Sequence, residues 1–260
     1  MISMRHLLVR FFPLDFNFGS FDAFVSEFEF WAKVVADHRA DDKAVRKINN
    51  AFWINKGQRE LISSENIGRV AGKLMECDQI RLWHDQAIWK PGVGEESEDD
   101  SKGNIGWHQD YGFWRASSSS QMITAFVALQ DIDLTNGGLR TITGSHSWGL
   151  IKDSNMFFDT DLAKQRAKFQ AAAPKGNEWD DVPTIMKEGQ IAFHHALTFH
   201  GSGANRTNKP RLAAAVHMQT DAVKYRHGFW HPNVRELGPN AKDGDKFDGP
   251  CFPLMWASSK

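Results

Sequence analysis

His108 and Asp110 stand two apart in the segment WHQD, and His200 follows far downstream. Two imidazoles and a carboxylate can occupy one face of an octahedral Fe(II) ion and leave the opposite face open for exogenous ligands. In an extended chain, residues i and i+2 project from the same side, so His108 and Asp110 can reach one ion from one strand end. Such a pair arises readily by chance, and the third ligand has to come from elsewhere. His200 is the best-placed candidate, because it follows the apolar-aromatic run 191–199 and precedes Gly201-Ser202-Gly203, which turns the chain tightly. Further on, Arg211 opens the stretch RLAAAVHM. A buried guanidinium at a strand start needs a carboxylate partner. That partner is either one of the protein's own acids or a ligand carboxylate, to which Ser202 can add a hydroxyl hydrogen bond.

These groups need a scaffold, and the hydrophobic pattern outlines one. Phe21, Phe24, Val25, Phe28, Trp31, Val34 and Val35 recur at helical spacing behind Ser20, an N-cap residue. Ile67, Val70, Ala71, Leu74 and Met75 form a second stripe over 65–75. Residues 1–78 therefore read as a mainly helical support. From Gln79 onward short apolar segments alternate with turn signals. Strands are expected over 80–89, 122–129, up to Ile142 after the turn Asn136-Gly137-Gly138, and over 182–186, 190–193 and 211–218. A helix over 161–173 lies in an insertion, 154–181, that is a candidate lid. The acidic stretch 94–104 reads as a solvated loop, and the tail 238–250, rich in Gly, Asp and Lys, also reads as loop. The expected architecture is one mainly β domain over 1–260. It comprises a jelly-roll core at 79–220, a helical layer packed on one sheet and a C-terminal extension over 221–260.

Composition narrows the class. A net charge of -1 argues against general affinity for nucleic acid or anionic membranes. Two cysteines are no disulfide framework and point to reduced thiols in a cytoplasm. No signal peptide or membrane-length apolar run is recognisable. The chain is expected to be a monomer or homodimer acting on a small molecule. Ten Trp and nineteen Phe suffice to line an apolar pocket, although core packing accounts for most of them.

Four ordered blocks resemble the phytanoyl-CoA dioxygenase family of Fe(II)/2-oxoglutarate-dependent oxygenases. They are IRLWHDQAIWKPG at 80–92, WHQD at 107–110, NGGLRTITGSHSWG at 136–149 and GQIAFHHALTFHGSGANRTNKPR at 189–211. Thr143 stands where the family has Pro, Gln190 where an acid often follows Gly, and Phe126 where Trp is expected. The resemblance implies a double-stranded β-helix with a metal at the barrel mouth. It carries iron ligation onto His108, Asp110 and His200, and 2-oxoglutarate binding onto Arg211 and Ser202, with Phe126 as a wall. Gln86, which shares a strand face with His84, is a further candidate for cosubstrate contact. The implied reaction couples O2 and decarboxylation of 2-oxoglutarate to succinate with hydroxylation of a small organic substrate. Asp110 fills the position that halide needs in related halogenases, so halogenation is not expected.

Other residues carry ordinary readings beside functional ones. His194 and His195 compete with His200, but the Gly-Ser-x-x-Asn after His200 and its spacing to Arg211 favour His200. His146 is expected to satisfy backbone groups in its turn. Lys90 is either a solvated strand end or a substrate contact. The alternative for the whole chain is a non-redox, metal- or ligand-binding cupin, which has no need of a carboxylate clamp at Arg211.

Overall fold

The central strand of the molecule is wholly buried: Arg211–Thr220 lies between Gln79–Lys90 on one side and Met122–Ala128 on the other. The structure is a computed structural model that describes residues 12–13, 45–95, 103–157 and 159–259. In chain order the strands are β1 (Phe12–Pro13), β2 (Arg46–Asn49), β3 (Gln79–Lys90), β4 (Ile105–His108), β5 (Met122–Ala128), β6 (Leu139–Ile142), β7 (Asp181–Pro183), β8 (Gln190–His195), β9 (His200–Ser202), β10 (Arg211–Thr220) and β11 (Leu254–Ala257). The helices are α1 (Lys56–Ile62), α2 (Glu65–Met75) and α3 (Leu162–Ala172). One antiparallel sheet runs β1-β8-β5-β10-β3-β11, with β2 also paired to β3, and the other runs β4-β9-β6-β7. The architecture is a double-stranded β-helix, as the resemblance implies.

Strand alternation divides the large sheet into two faces. Leu212, Ala214, Val216 and Met218 of β10 join Ile123, Ala125 and Val127 of β5 in the cluster under the helical layer. Ala213, Ala215, Phe126, Ala128 and Ile88 point the other way, into the barrel, where Leu139 and Met186 meet them. Full burial on both faces explains why β10 reads as a continuous apolar run rather than an alternating one.

α2 has the bounds that its apolar stripe predicts, and it buries Ile67, Val70, Ala71 and Met75 against the sheet. Its approach to β11 is close enough to require glycine. A Cβ on Gly68 would lie 2.7 Å from Trp256 Cβ and 2.9 Å from the Met255 carbonyl oxygen. The helix expected over 21–35 lies outside the described residues. The N-terminal segment is more than a helical support, since β1 and β2 both enter the large sheet. The C-terminal extension likewise supplies β11 to the edge of β3, a strand too short to stand out by periodicity.

The insertion, a candidate lid, is packed against the small sheet. Its first residues pair along β4: Gly106 N–H donates to Phe157 O (3.1 Å), Gln109 N–H donates to Ser154 O (2.9 Å), and His108 bridges Asn155. Its helix α3, begun at Asp161 as an N-cap, fully buries Phe169 against Phe199, with ring centroids 4.8 Å apart. Buried Gln165 accepts from Trp107 N–H (2.5 Å) and donates to Asp159 O (2.6 Å). These bonds satisfy an outer strand edge that has no further strand beside it among the described residues, so the segment braces the strands that carry His108 and His200.

Candidate metal centre

β4 and β9 pair antiparallel with His108 opposite His200, so one register brings two distant histidines together. Their ring centroids are 4.1 Å apart. Asp110 is not on the strand: β4 ends at His108 and Asp110 begins a short 3-10 turn. The i, i+2 geometry survives because Gln109 keeps extended dihedrals. Gln109 is held there by its own side chain, which donates to Gly149 O and Leu197 O and accepts from Ile151 N–H.

Asp110 Oδ1 lies 3.6 Å from the Nε2 atoms of both His108 and His200. The ligand atoms of all three buried residues lie within 4.8 Å of one another, the arrangement of a metal site. Each imidazole is oriented from behind: His108 Nδ1 meets Gly106 O at 2.7 Å and His200 Nδ1 meets Thr198 O at 2.9 Å. Donation from Nδ1 leaves the Nε2 lone pairs free for an ion. Burial pushes His108 down to about 4 and His200 well below its ordinary value, so both rings are neutral and ready to ligate. Burial alone would raise Asp110, but the surrounding imidazoles, His200 foremost, hold it well below the usual carboxylate range. A charged carboxylate and two neutral imidazoles on one side of a cavity fit a divalent ion.

The other carboxylate oxygen is held separately. Thr124 donates to Asp110 Oδ2 at 3.2 Å, and His194 Nε2 lies 3.4 Å from the same oxygen. His194 therefore belongs to the surroundings of Asp110 and lies outside the three-residue set. His195 accepts from Leu197 N–H at 3.1 Å and stabilises the turn before His200. In the Gly-Ser-His turn, Ser145 bonds the backbone, donating to Ile142 O and accepting from Phe199 N–H at 2.8 Å each.

Deeper in the barrel the large sheet gathers cations. Arg211 is 3% exposed and donates through Nη2 to Gly137 O, while its Nε and Nη1 have no partner among the described residues. No acid among the described residues pairs with it. Its guanidinium stands 5.6 Å from the centroid of Phe126. Lys90 is no solvated strand end: it is fully buried and donates to Ser202 Oγ at 2.7 Å and to Gly203 O. Burial, then the charges of Arg211 and Lys47, push its ammonium well below the ordinary range. Burial likewise lowers Arg211 to about 10.

Lys47 on β2 is a site residue that sequence inspection missed. Burial brings it down to about 8, against the opposing pull of Asp110, with Arg211 lowering it further. Its Nζ sits 4.0 Å from the centroid of Phe157, whose ring in turn is 5.0 Å from that of His108. Nothing in its local sequence, RKIN, distinguishes it from a surface lysine. Gln86, on the inner face of β3, donates to Asn49 Oδ1 at 2.9 Å.

The aromatic residues separate into roles. Trp83 packs with Phe247 and Phe252 at the C-terminal end, and Trp89 lies under the Arg46 guanidinium near the helices. Trp107, Trp148 and Trp179 surround Phe199 behind the small sheet. Phe113 stands beside His108, and Trp114 beside His84 and His217. Phe229 and Trp230 are exposed.

Known proteins share this arrangement at several levels. A carbocyclase of nogalamycin biosynthesis, SnoK, described as non-heme and alpha-ketoglutarate dependent, superposes with a TM-score of 0.71 at 21% identity, over 97% of this chain and 93% of its own. The epimerase SnoN, solved with Fe3+, alpha ketoglutarate and nogalamycin RO, gives 0.68 at 21% identity, over 97% and 95%. These likenesses establish the fold. Among curated sequences, rat peroxisomal phytanoyl-CoA dioxygenase is 30% identical over 59% of this chain and 44% of its own length. A probable alpha-ketoglutarate-dependent hypophosphite dioxygenase of Stutzerimonas stutzeri is 24% identical over 64% and 54%. The chain spans about half the length of the curated relatives it matches. Residues 26–213, most of the chain and all of the centre described above, match the phytanoyl-CoA dioxygenase family, and the chain belongs to that family.

Proposed function

We propose that the protein is an Fe(II)- and 2-oxoglutarate-dependent dioxygenase that hydroxylates a C–H bond of a small organic molecule. Arg211 is the observation that carries this reading. A buried guanidinium with two nitrogens unpartnered among the described residues is costly unless a ligand carboxylate completes it, and it lies in the same barrel as His108, Asp110 and His200. A simple metal-binding cupin has no use for it. A dicarboxylate with an adjacent keto oxygen satisfies both ends, one on the metal and one on Arg211.

His108, His200 and Asp110 would hold the ion, and Thr124 donates to Asp110 Oδ2 and orients the carboxylate. When bound, iron and 2-oxoglutarate together activate O2, giving succinate and CO2 and leaving one oxygen atom on the substrate carbon. Arg211 grips the distal carboxylate. Lys90 occupies one lone pair of Ser202, which leaves the hydroxyl hydrogen free for that same carboxylate. Lys47 adds positive charge to the centre, Phe126 walls the guanidinium, and Gln86 with Asn49 closes the inner face of β3 and β2. Phe113 and Phe157 flank His108 and exclude water from the centre. Asp110 fills the position that a halide needs, which favours hydroxylation. Both cysteines are free, which fits a reducing compartment such as the cytoplasm. No helix among the described residues is long and apolar enough to cross a membrane.

Anaerobic titration with Fe(II) and 2-oxoglutarate tests the reading. The wild-type protein should develop the weak visible charge-transfer band of the chelate, and His108→Ala should lose it. A wild-type protein without the band would sink the proposal.

A further inference from the structure

One buried histidine next to the centre has a nitrogen that neither the metal nor the cosubstrate uses. His217, on the inner face of β10, pairs in register with Thr124 of β5, and its Nδ1 lies 2.7 Å from Thr124 Oγ1. Thr124 has a single hydroxyl hydrogen, and an ionised carboxylate can only accept. Since Thr124 Oγ1 stands 3.2 Å from Asp110 Oδ2, its hydrogen must go to the carboxylate. Thr124 is then the acceptor toward His217, so Nδ1 carries the imidazole proton. Burial, reinforced by His84, keeps the ring neutral. Nε2 therefore presents a bare lone pair, and it has no partner among the described residues.

Support of Thr124 and Asp110 accounts for Nδ1 alone. A buried acceptor left without a donor is unfavourable, so Nε2 is a place for a ligand group. The surroundings limit what that group is. The His84 ring lies 4.4 Å from His217 and tilted, and Trp114 presents itself at 4.9 Å and 68°. Phe113 and Phe157 continue the aromatic wall toward His108.

We propose that His217 Nε2 accepts a hydrogen bond from a hydroxyl group of a ring-bearing substrate seated against Trp114. The inference rests on the dioxygenase reading in naming that ligand the substrate. It implies that the oxidised carbon belongs to a molecule already hydroxylated, so a reaction that installs or unmasks a hydroxyl must precede this one.

Phenol and anisole, which differ in the hydroxyl hydrogen, serve as probes of the full chain carrying isotopically labelled histidine. The measurement is run metal-free and again with zinc and 2-oxoglutarate. The His217 Nε2 resonance, identified by its loss in His217→Phe, should shift with phenol in the millimolar range expected of so small a fragment. Anisole should need about tenfold more for the same response, the effect of one hydrogen bond. In His217→Phe the remaining ring signals should respond equally to both compounds. Equal responses in the wild type, no response of Nε2 to phenol, or discrimination that persists in the variant would each overturn the proposal. Should that variant fail to fold, His217→Gln assigns the resonance by the same loss and carries the same comparison. Failure of the dioxygenase reading shows instead as a missing charge-transfer band and leaves the metal-free comparison unaffected.

Discussion

The two oxygens of Asp110 have different neighbours, and that division organises the centre. Oδ1 faces the imidazoles of His108 and His200, while Oδ2 is tied to Thr124. Thr124→Val should weaken metal binding about 10–100-fold, the range for losing a group that orients a ligand, and Thr124→Ser should restore most of it. Competition with a chromogenic chelator measures both. At the other end, Arg211→Ala removes one partner of a buried charge pair. The expected loss is about 2–5 kcal/mol, so the 2-oxoglutarate titration should shift by at least about 30-fold. Arg211→Lys should recover part of that, because an ammonium keeps the charge but not the planar fork.

At the scale of elements, the centre depends on how β4 is held from both sides. β9 fixes one edge and supplies His200, and the start of the insertion fixes the other. Gln165 is the link between α3 and this strand. Gln165→Leu should strand the buried Trp107 N–H at a cost of about 1–3 kcal/mol, seen as a lower midpoint in denaturant unfolding. Gly106→Ala should act on the same strand from within, since its Cβ would drive into the carbonyl oxygens of Met156 and Asp159. Weaker metal binding by Gly106→Ala with unchanged helix content by circular dichroism is the expected outcome. Across the sheet, Gly68→Val should cost about 1–3 kcal/mol by prising α2 off β11.

At the scale of the molecule, the barrel buries many ionisable groups and its stability must depend on pH. Burial lowers His84 to about 3 and His108, His195 and His231 to about 4. Below pH 6.5 the unfolded chain takes up protons that these folded rings refuse, so the unfolded state is favoured as pH falls from about 6.5 toward 4. Asp85 opposes this. Burial raises it to about 7, so its contribution is lost as pH rises through that value. Four histidines outweigh one aspartate, and the metal-free protein should melt at progressively lower temperature between pH 6.5 and 4. A flat or rising melting temperature over that window would contradict the burial of these rings.

Much of this was written in the chain itself. The stripe Ile67, Val70, Ala71, Met75 fixed α2, and the unbroken apolar run from Arg211 marked a strand buried on both faces, because local periodicity records which sides of an element meet water. The residue types at 108, 110, 200 and 211 named the chemistry. What the chain did not reveal depended on pairing between strands remote in sequence. The register of β4 against β9 sets His108 opposite His200, and that of β5 against β10 sets Thr124 opposite His217. Neither registration leaves a local mark, so His217 and Lys47 looked like ordinary residues. The sequence by itself determined the fold class and the donor atoms. Only the tertiary structure decided which nitrogen points where, because a one-residue slip in register turns each side chain to the opposite face.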